Sequence, residues 1–337
     1  MRLLLCSMIF CVLTSGALLT ATAQKNAEAA QKLPKIFWTQ GIETAAALKE
    51  ANIGQILVPS ENLDAWRKAG FNALALSQQE LEQRGKLLVP RTAGRADVAS
   101  ATRRPWIDSN GWRFVRNPAG KFYYNLTEKG AGRAALAAAE AFTYQADAIL
   151  KIDSADLAAA GKMLAFLRAL PSANFAPVAD IGLIDDGSPA TGEVMNLLTR
   201  RNLLFTLVPA AAPKFRVNIK LGSKEYPMTD ASDPSAFAQK VRQQLGDENR
   251  SLRIYGTEVV ISRLISDGER LQLHLLNYSG RQVDSLRVRL RGKYGKGELN
   301  AFGINAVMED FVIADGATEF TISKMGAYLM IELPAVK

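Results

Sequence analysis

Cysteine, histidine and long apolar runs are all scarce in this chain, and each scarcity removes a class of chemistry. Its only cysteines, Cys6 and Cys11, lie in the N-terminal apolar run. If that run is cleaved, the remaining chain has no thiol, which excludes disulfides, thiolate metal sites and cysteine nucleophiles. The one histidine, His274 in "LQLHLLNYS", cannot build a His-rich zinc site. In an alternating strand it reads as a packed sheet residue, which makes Ser-His-Asp catalysis improbable. There is no Gly-rich phosphate loop and no metal-ligand cluster, so neither cofactor nor metal is expected. The net charge is +8, but Lys and Arg are dispersed along the chain. Such a spread gives solubility and mild attraction to anionic surfaces, and nucleic acid is not expected as a partner.

The N-terminus carries the one strong targeting signal. Arg2 precedes "LLLCSMIFCVLTSGALL", and "TATAQ" follows with small residues at Ala21 and Ala23. A charged start, an apolar run and an A-x-A-like site predict a secretory signal over 1–23, hence a secreted or periplasmic protein. An uncleaved anchor is the alternative. The residues before Cys11 lack the small residue that lipid processing favours. No second run approaches spanning length, so no membrane span is expected after cleavage. Residues 24–35 are polar and Ala/Lys-rich and read as a flexible leader.

From there a rhythm begins. Apolar runs "KIFWT" (35–39), "QILVP" (55–59), "NALALS" (72–77) and "KLLVP" (86–90) alternate with helical pieces such as "ENLDAWRKAG". Trp66 in that piece reads as core. This alternation predicts βα units and a parallel sheet. The segment 92–126 is irregular and rich in Arg and aromatics. Its "GWRFVRN" and "KFYYN" flank Asn117–Gly120, which suggests a hairpin or a long excursion. The rhythm resumes with a helix over 133–147, a strand "AILKID" (148–153) and a helix over 154–170 with Ser154 as candidate N-cap. Then follow a strand "DIGLID" (180–185), a helix over 190–201 and a strand "LLFTLV" (203–208). "KFRVNIKLGSKEYPM" reads as a two-stranded insertion. Asp233 and Pro234 open a last helix. About eight strand candidates precede residue 210, which fits a compact or degenerate (βα)8-like barrel over 36–250, with an open doubly wound sheet as the alternative. Past residue 250 only period-two runs and turns remain, which predicts an antiparallel β-sandwich over 251–337.

This order, and "SLRIYGTEVVISRLISDGERLQLHLLNYSGRQVDSLRVRL" in particular, resembles bacterial glycoside hydrolases of the barrel-plus-sandwich type, including the accessory regions of beta-galactosidase-type proteins. The resemblance implies a carbohydrate partner. It brings no catalytic motif that can be placed residue by residue, such as an Asn-Glu pair ending a strand.

The candidate site residues come from strand ends and aromatics. Asp153 and Asp185 each end a strand candidate, and Asp186 follows directly. Two carboxylates on adjacent strand ends could serve glycoside hydrolysis, one protonating the leaving oxygen and one attacking or activating water. The competing reading makes them turn and cap residues, with Asp186 and Ser188 opening a helix. Glu193 suits the positive end of that helix, and Glu140, which interrupts an Ala-rich helix face, reads as solvent-facing, with a functional role as the alternative. For a glycan platform the candidates are Trp38, Gln40, Arg104, Trp106, Asn110, Trp112 and Arg113. Against that, both Trp106 and Trp112 could plug a core or an interface. Arg287, Arg289 and Arg291 share one strand face, read as solvated, or as a grip on an anionic partner. Two functions remain in view: a glycoside hydrolase, or a non-catalytic glycan-binding or envelope scaffold protein.

Overall fold

The computed structural model describes residues 32–84, 86–87, 107, 109–127, 133–171 and 174–336. Its first sheet is all parallel, built from β1 (Lys35–Phe37), β2 (Gln55–Pro59), β3 (Asn72–Leu76), β4 (Lys86–Leu87), β5 (Lys121–Asn125) and β6 (Asp147–Lys151). The strand order is β3-β2-β1-β6-β5-β4. Successive strands are neighbours and β1 lies against β6, which is the order of a ring opened between β3 and β4. A classic doubly wound sheet would instead set its first strand beside its fourth. Among the described residues no ladder joins β3 to β4.

The helices of this part are α1 (Ala45–Glu50), α2 (Leu63–Lys68), α3 (Gln78–Gln83), α4 (Gly111–Arg116), α5 (Ala134–Thr143) and α6 (Leu157–Ala169). Period-two alternation divides the strands between two faces. Ile36, Ile56, Tyr124 and Leu150 join Leu48, Trp66, Phe142 and Leu167 in one core, beneath α1, α2, α5 and α6. The opposite face carries a smaller cluster of Phe37, Leu57, Leu76, Tyr123 and Ile149. Helix cover concentrated on one face and a packed inner face are barrel features.

Three more parallel strands form a separate sheet, ordered β10-β8-β9. Numbering the strands in chain order, β7 is Ala176–Pro177, β8 Ile181–Leu183, β9 Phe205–Leu207 and β10 Val217–Ile219. Helices α7 (Pro189–Arg200) and α8 (Pro234–Leu245) share its core, with Ile181, Leu198, Ile219 and Phe237 packed around Trp112 of α4. Two expectations change here. "GWRFVR" is a helix and not one arm of a hairpin, because Trp112 and Phe114 both have cores to enter. The expected two-stranded insertion supplies one strand only, β10, which pairs in parallel with β8.

From Leu252 on, every strand is antiparallel: β11 (Leu252–Tyr255), β12 (Val260–Ser266), β13 (Arg270–Asn277), β14 (Val283–Arg291), β15 (Glu298–Ala301), β16 (Met308–Ala314), β17 (Ala317–Met325) and β18 (Tyr328–Pro334). They make two sheets, β11-β14-β17-β16 and β15-β18-β13-β12-β7. Between the sheets lie Leu264, Leu273, Leu275, Val288, Phe320 and Ile331. The β7 strand is contributed by the α/β segment and pairs with Ile265 and Ser266. The arginine face of β14 is partly solvated, with Arg287 and Arg289 both on Glu319.

The five-stranded sheet turns its other face, with Ile261, Leu276, Tyr278, Tyr328 and Met330, toward the core of the α/β part. Helix α5 is thus enclosed between two sheets, and all ten of its residues are buried. Six of its ten residues are alanine, small side chains that let sheets approach from both sides. His274 is buried on this face and its Nδ1 lies 2.8 Å from the Tyr328 hydroxyl. Burial, with the Arg263 charge second, pushes it down to about 3, so it stays neutral.

Glu140 corrects the sequence reading most sharply. It does not face solvent; it is 1% exposed. Its carboxylate accepts from the Asn110 N–H (2.8 Å) and Nδ2 (3.2 Å), Ser109 Oγ (3.3 Å), Tyr124 OH (3.0 Å) and Tyr278 OH. Burial, followed by this carboxylate, raises both tyrosines well above their usual range. Tyr278→Phe should cost about 1.5–3 kcal/mol, the worth of a hydrogen bond to a charged group. Glu140→Ala should cost more, because several buried donors would lose their partner at about 1–3 kcal/mol each. Urea unfolding midpoints of the two variants check both the order and the size.

Candidate functional site

The C-terminal ends of parallel strands are where barrel and open-sheet proteins build sites. Register brings Asn125, Lys151, Phe37 and Leu57 into one row across β5, β6, β1 and β2. This row lies on the face turned away from the main helix layer. Asn125 and Lys151 are half-buried. Thr127 donates its hydroxyl to Asn125 Oδ1 at 2.8 Å. No hydrogen bond or carboxylate engages the Lys151 ammonium among the described residues. Phe37 and Tyr123 belong to the buried apolar cluster on the same face.

Asp153 stands two residues beyond Lys151 and is also half-buried. Its Oδ1 accepts from the Ala155 N–H at 3.0 Å, so Asp153, and not Ser154, caps the following turn. Ser154 instead donates to Gln40 Oε1 at 2.9 Å, linking the loops after β6 and β1. Gln40 therefore sits at this strand-end mouth.

Asp185 and Asp186 are elsewhere. They follow β8 in the three-stranded sheet, while Asp153 follows β6 in the six-stranded one. The expectation that Asp153 and Asp185 end adjacent strands is therefore corrected: β6 neighbours β1 and β5, and β8 neighbours β9 and β10. Asp185 is held by Arg116 of α4, whose Nε and Nη2 donate at 2.9 and 2.7 Å, and by the Gly187 N–H at 2.9 Å. Arg116 also donates to the Ser188 carbonyl at 2.9 Å. This bidentate pair positions α4 against α7, where a side chain at Gly192 would strike the Trp112 ring. Asp186 accepts from the Ser188 N–H (2.9 Å), and Ser188 Oγ caps α7 through the Thr191 N–H (3.1 Å). Hydrogen bonds from Ser188, then Thr191, bring the Asp186 carboxyl down to about 2.

The aromatic candidates divide in the same way. Trp38 is fully buried and its Nε1 donates to Thr44 Oγ1 at 2.9 Å. Alternation places it on the helix side, one residue past inward-facing Phe37, so it does not line the mouth. Trp112 fills the second core with the Arg113 guanidinium 4.3 Å from its ring centroid, and forms no open platform. Asn110 is buried and spent on Glu140, and Arg113 donates to its Oδ1 at 3.1 Å. Arg104 and Trp106 lie outside the described residues. Lys151 and Asn125, which sequence reading passed over, had one signal available: each is a polar residue ending an apolar strand, in "AILK" and "KFYYN". Among the described residues no three His, Cys, Asp or Glu side chains assemble as metal ligands, and no helix is long and apolar enough to cross a membrane.

No family model matches the chain, and no curated protein does. Solved structures do. An alpha-L-fucosidase isoenzyme 2 from Paenibacillus thiaminolyticus aligns at TM-score 0.54 and 11% identity, covering 85% of this chain and 71% of that one. A GH42 beta-galactosidase from G. stearothermophilus aligns at 0.40 and 9%, covering 72% of this chain and 59% of its own. A cold-adapted beta-galactosidase from Rahnella sp. R3 aligns at 0.35 and 9%, covering 88% and 60%. The fucosidase likeness is one of fold: parallel α/β elements followed by antiparallel sheets.

If Asp185 is a structural residue, Asp185→Asn should lower stability by about 1–2 kcal/mol, between exposed and buried ion pairs. Asp186 should be milder. Its folded pKa is depressed, so its contribution is complete above the ordinary carboxylate range and is lost as pH falls toward 2. Thermal unfolding of both variants at neutral pH, and carboxyl titration of Asp186 by NMR, check this.

Proposed function

We propose that the protein is a secreted or periplasmic carbohydrate-binding protein that takes its glycan at the strand-end mouth of the six-stranded sheet. The observation that carries this reading is the row Asn125–Lys151–Phe37, with Asp153 and the Gln40–Ser154 pair beyond it. Polar groups converge there beside the apolar cluster of the same face, the mixture that small-ligand recognition uses. The fold shared with a fucosidase supports a glycan as the ligand class, by analogy. The signal-like residues 1–23 support export.

Binding without cleavage is the first form of the proposal, because the carboxylates of Asp185 and Asp186 belong to another sheet. Hydrolysis is the second form, and Asp153 favours it. Among the described residues only its Oδ1 is engaged, and a strand-end carboxylate is where a nucleophile or acid would sit. Hydrolysis also needs a partner carboxyl about 5–10 Å away.

The test is a glycan panel titrated against the purified protein, with reducing-end release followed in parallel. The expected result is binding that Lys151→Ala weakens about 10- to 100-fold, the worth of a charged hydrogen bond, without release of sugar. Release abolished by Asp153→Asn in a folded variant would move the conclusion to hydrolysis. Binding indifferent to Lys151→Ala would remove the mouth as the site.

A further inference from the structure

The outer face of the four-stranded sheet carries more arginine than its carboxylates answer. Alternation turns Leu252, Leu286, Val288, Leu290, Phe320 and Ile322 into the sandwich core. It therefore sends Arg253, Tyr255, Arg287, Arg289, Arg291 and Glu319 outward. Register builds two rows across this face. One runs Arg253–Arg289–Glu319–Val312, the other Tyr255–Arg287–Thr321–Glu309. The face is open, with the Arg287 side chain 62% exposed.

Two features of these rows run against stability. Arg253 and Arg289 stand directly opposite each other on β11 and β14, and like charges in that position repel. Acceptors are also short. Glu319 is divided between Arg287 and Arg289, and Asp247 among Arg242, Arg250 and Arg253. Arg291 donates to the Asn249 carbonyl at 3.3 Å. Among the described residues no further carboxylate forms an ion pair with these six arginines, and Arg289 Nη1 is enclosed without an acceptor. The Tyr255 ring is shared by two of them, its centroid 4.8 Å from the Arg253 guanidinium and 6.0 Å from that of Arg287. Arg242 and Asp247 also line an open groove of about 720 Å³ with Arg201, Gln239 and Gln243. The basic band thus continues off the sheet along α8.

We propose that this face docks an acidic polysaccharide, a chain of uronate-type sugars whose carboxylates lie along Arg253, Arg287 and Arg289 and continue toward Arg242. Complementary charge selects such a partner. Arginine forks match carboxylates, and the two groups that these arginines already hold, Glu319 and Asp247, are carboxylates. The shape of the charged area favours a linear partner over a membrane. Glu309 and Asp310, both exposed on β16, border the band. A flat anionic lipid surface would press against them, whereas a polymer can follow the arginines alone. This surface is distinct from the strand-end mouth and does not depend on the reading of that site.

The experiment titrates alginate oligomers against the whole purified protein by calorimetry, with neutral dextran, phosphatidylglycerol vesicles and duplex DNA in parallel. Alginate is expected to bind most tightly, less so as sodium chloride rises, since exposed charges are screened. Arg253→Gln and Arg287→Gln should each weaken binding about 3- to 10-fold, between an exposed ion pair and a charged hydrogen bond. Glu319→Gln should strengthen it, because Arg287 and Arg289 lose the carboxylate that competes for them. A loss of fold cannot produce that sign. Lys68→Ser, which removes an exposed lysine of α2, should leave binding unchanged. Absence of alginate binding, tighter binding to vesicles or DNA, a Lys68→Ser effect equal to that of Arg287→Gln, or no gain from Glu319→Gln would each overturn the proposal.

Discussion

The carboxylate of Glu140 is the point through which the rest of the molecule is tied. It sits on a helix with no exposed residue, between a parallel sheet that offers Tyr124 and an antiparallel sheet that offers Tyr278. It also holds Ser109 and Asn110, which lead directly into α4. One acceptor group therefore sets the spacing of two sheets and the start of the helix that carries Trp112 and Arg116. A buried polar network of this kind specifies geometry because every member is costly to leave unpaired.

From α4 the constraint passes to the second, smaller α/β unit. Trp112 enters its core, and Arg116 grips Asp185 at the end of β8. The chain thus uses its irregular middle segment as a splint between two parallel sheets. Carboxylates and aromatics that would be placed at an active site by sequence position alone are consumed in this splint. What remains at the strand ends of the larger sheet is a simpler set, a lysine, an asparagine and one aspartate.

The alternation of β and α elements, the switch to antiparallel strands near residue 250, the core role of Trp66 and the capping by Asp233 are all legible in the sequence. Each depends on local periodicity or local hydrogen bonding. The hairpin expected around Asn117 was misread because "GWRFVR" has an apolar pattern compatible with either structure. Glu140 was misread because an alanine-rich helix gives no sign of which face is covered; here both are.

By itself the sequence determined the type of the strongly periodic elements and the order of the two architectural parts. Tertiary structure alone decided which elements are neighbours. That choice separated Asp153 from Asp185, buried Asn110 and Trp112, and brought Asn125 and Lys151 into one row from positions 26 residues apart in the chain. The physical reason is range. Periodicity and capping act over a few residues, whereas strand order and sheet-on-helix packing are settled by contacts between segments that no local pattern connects.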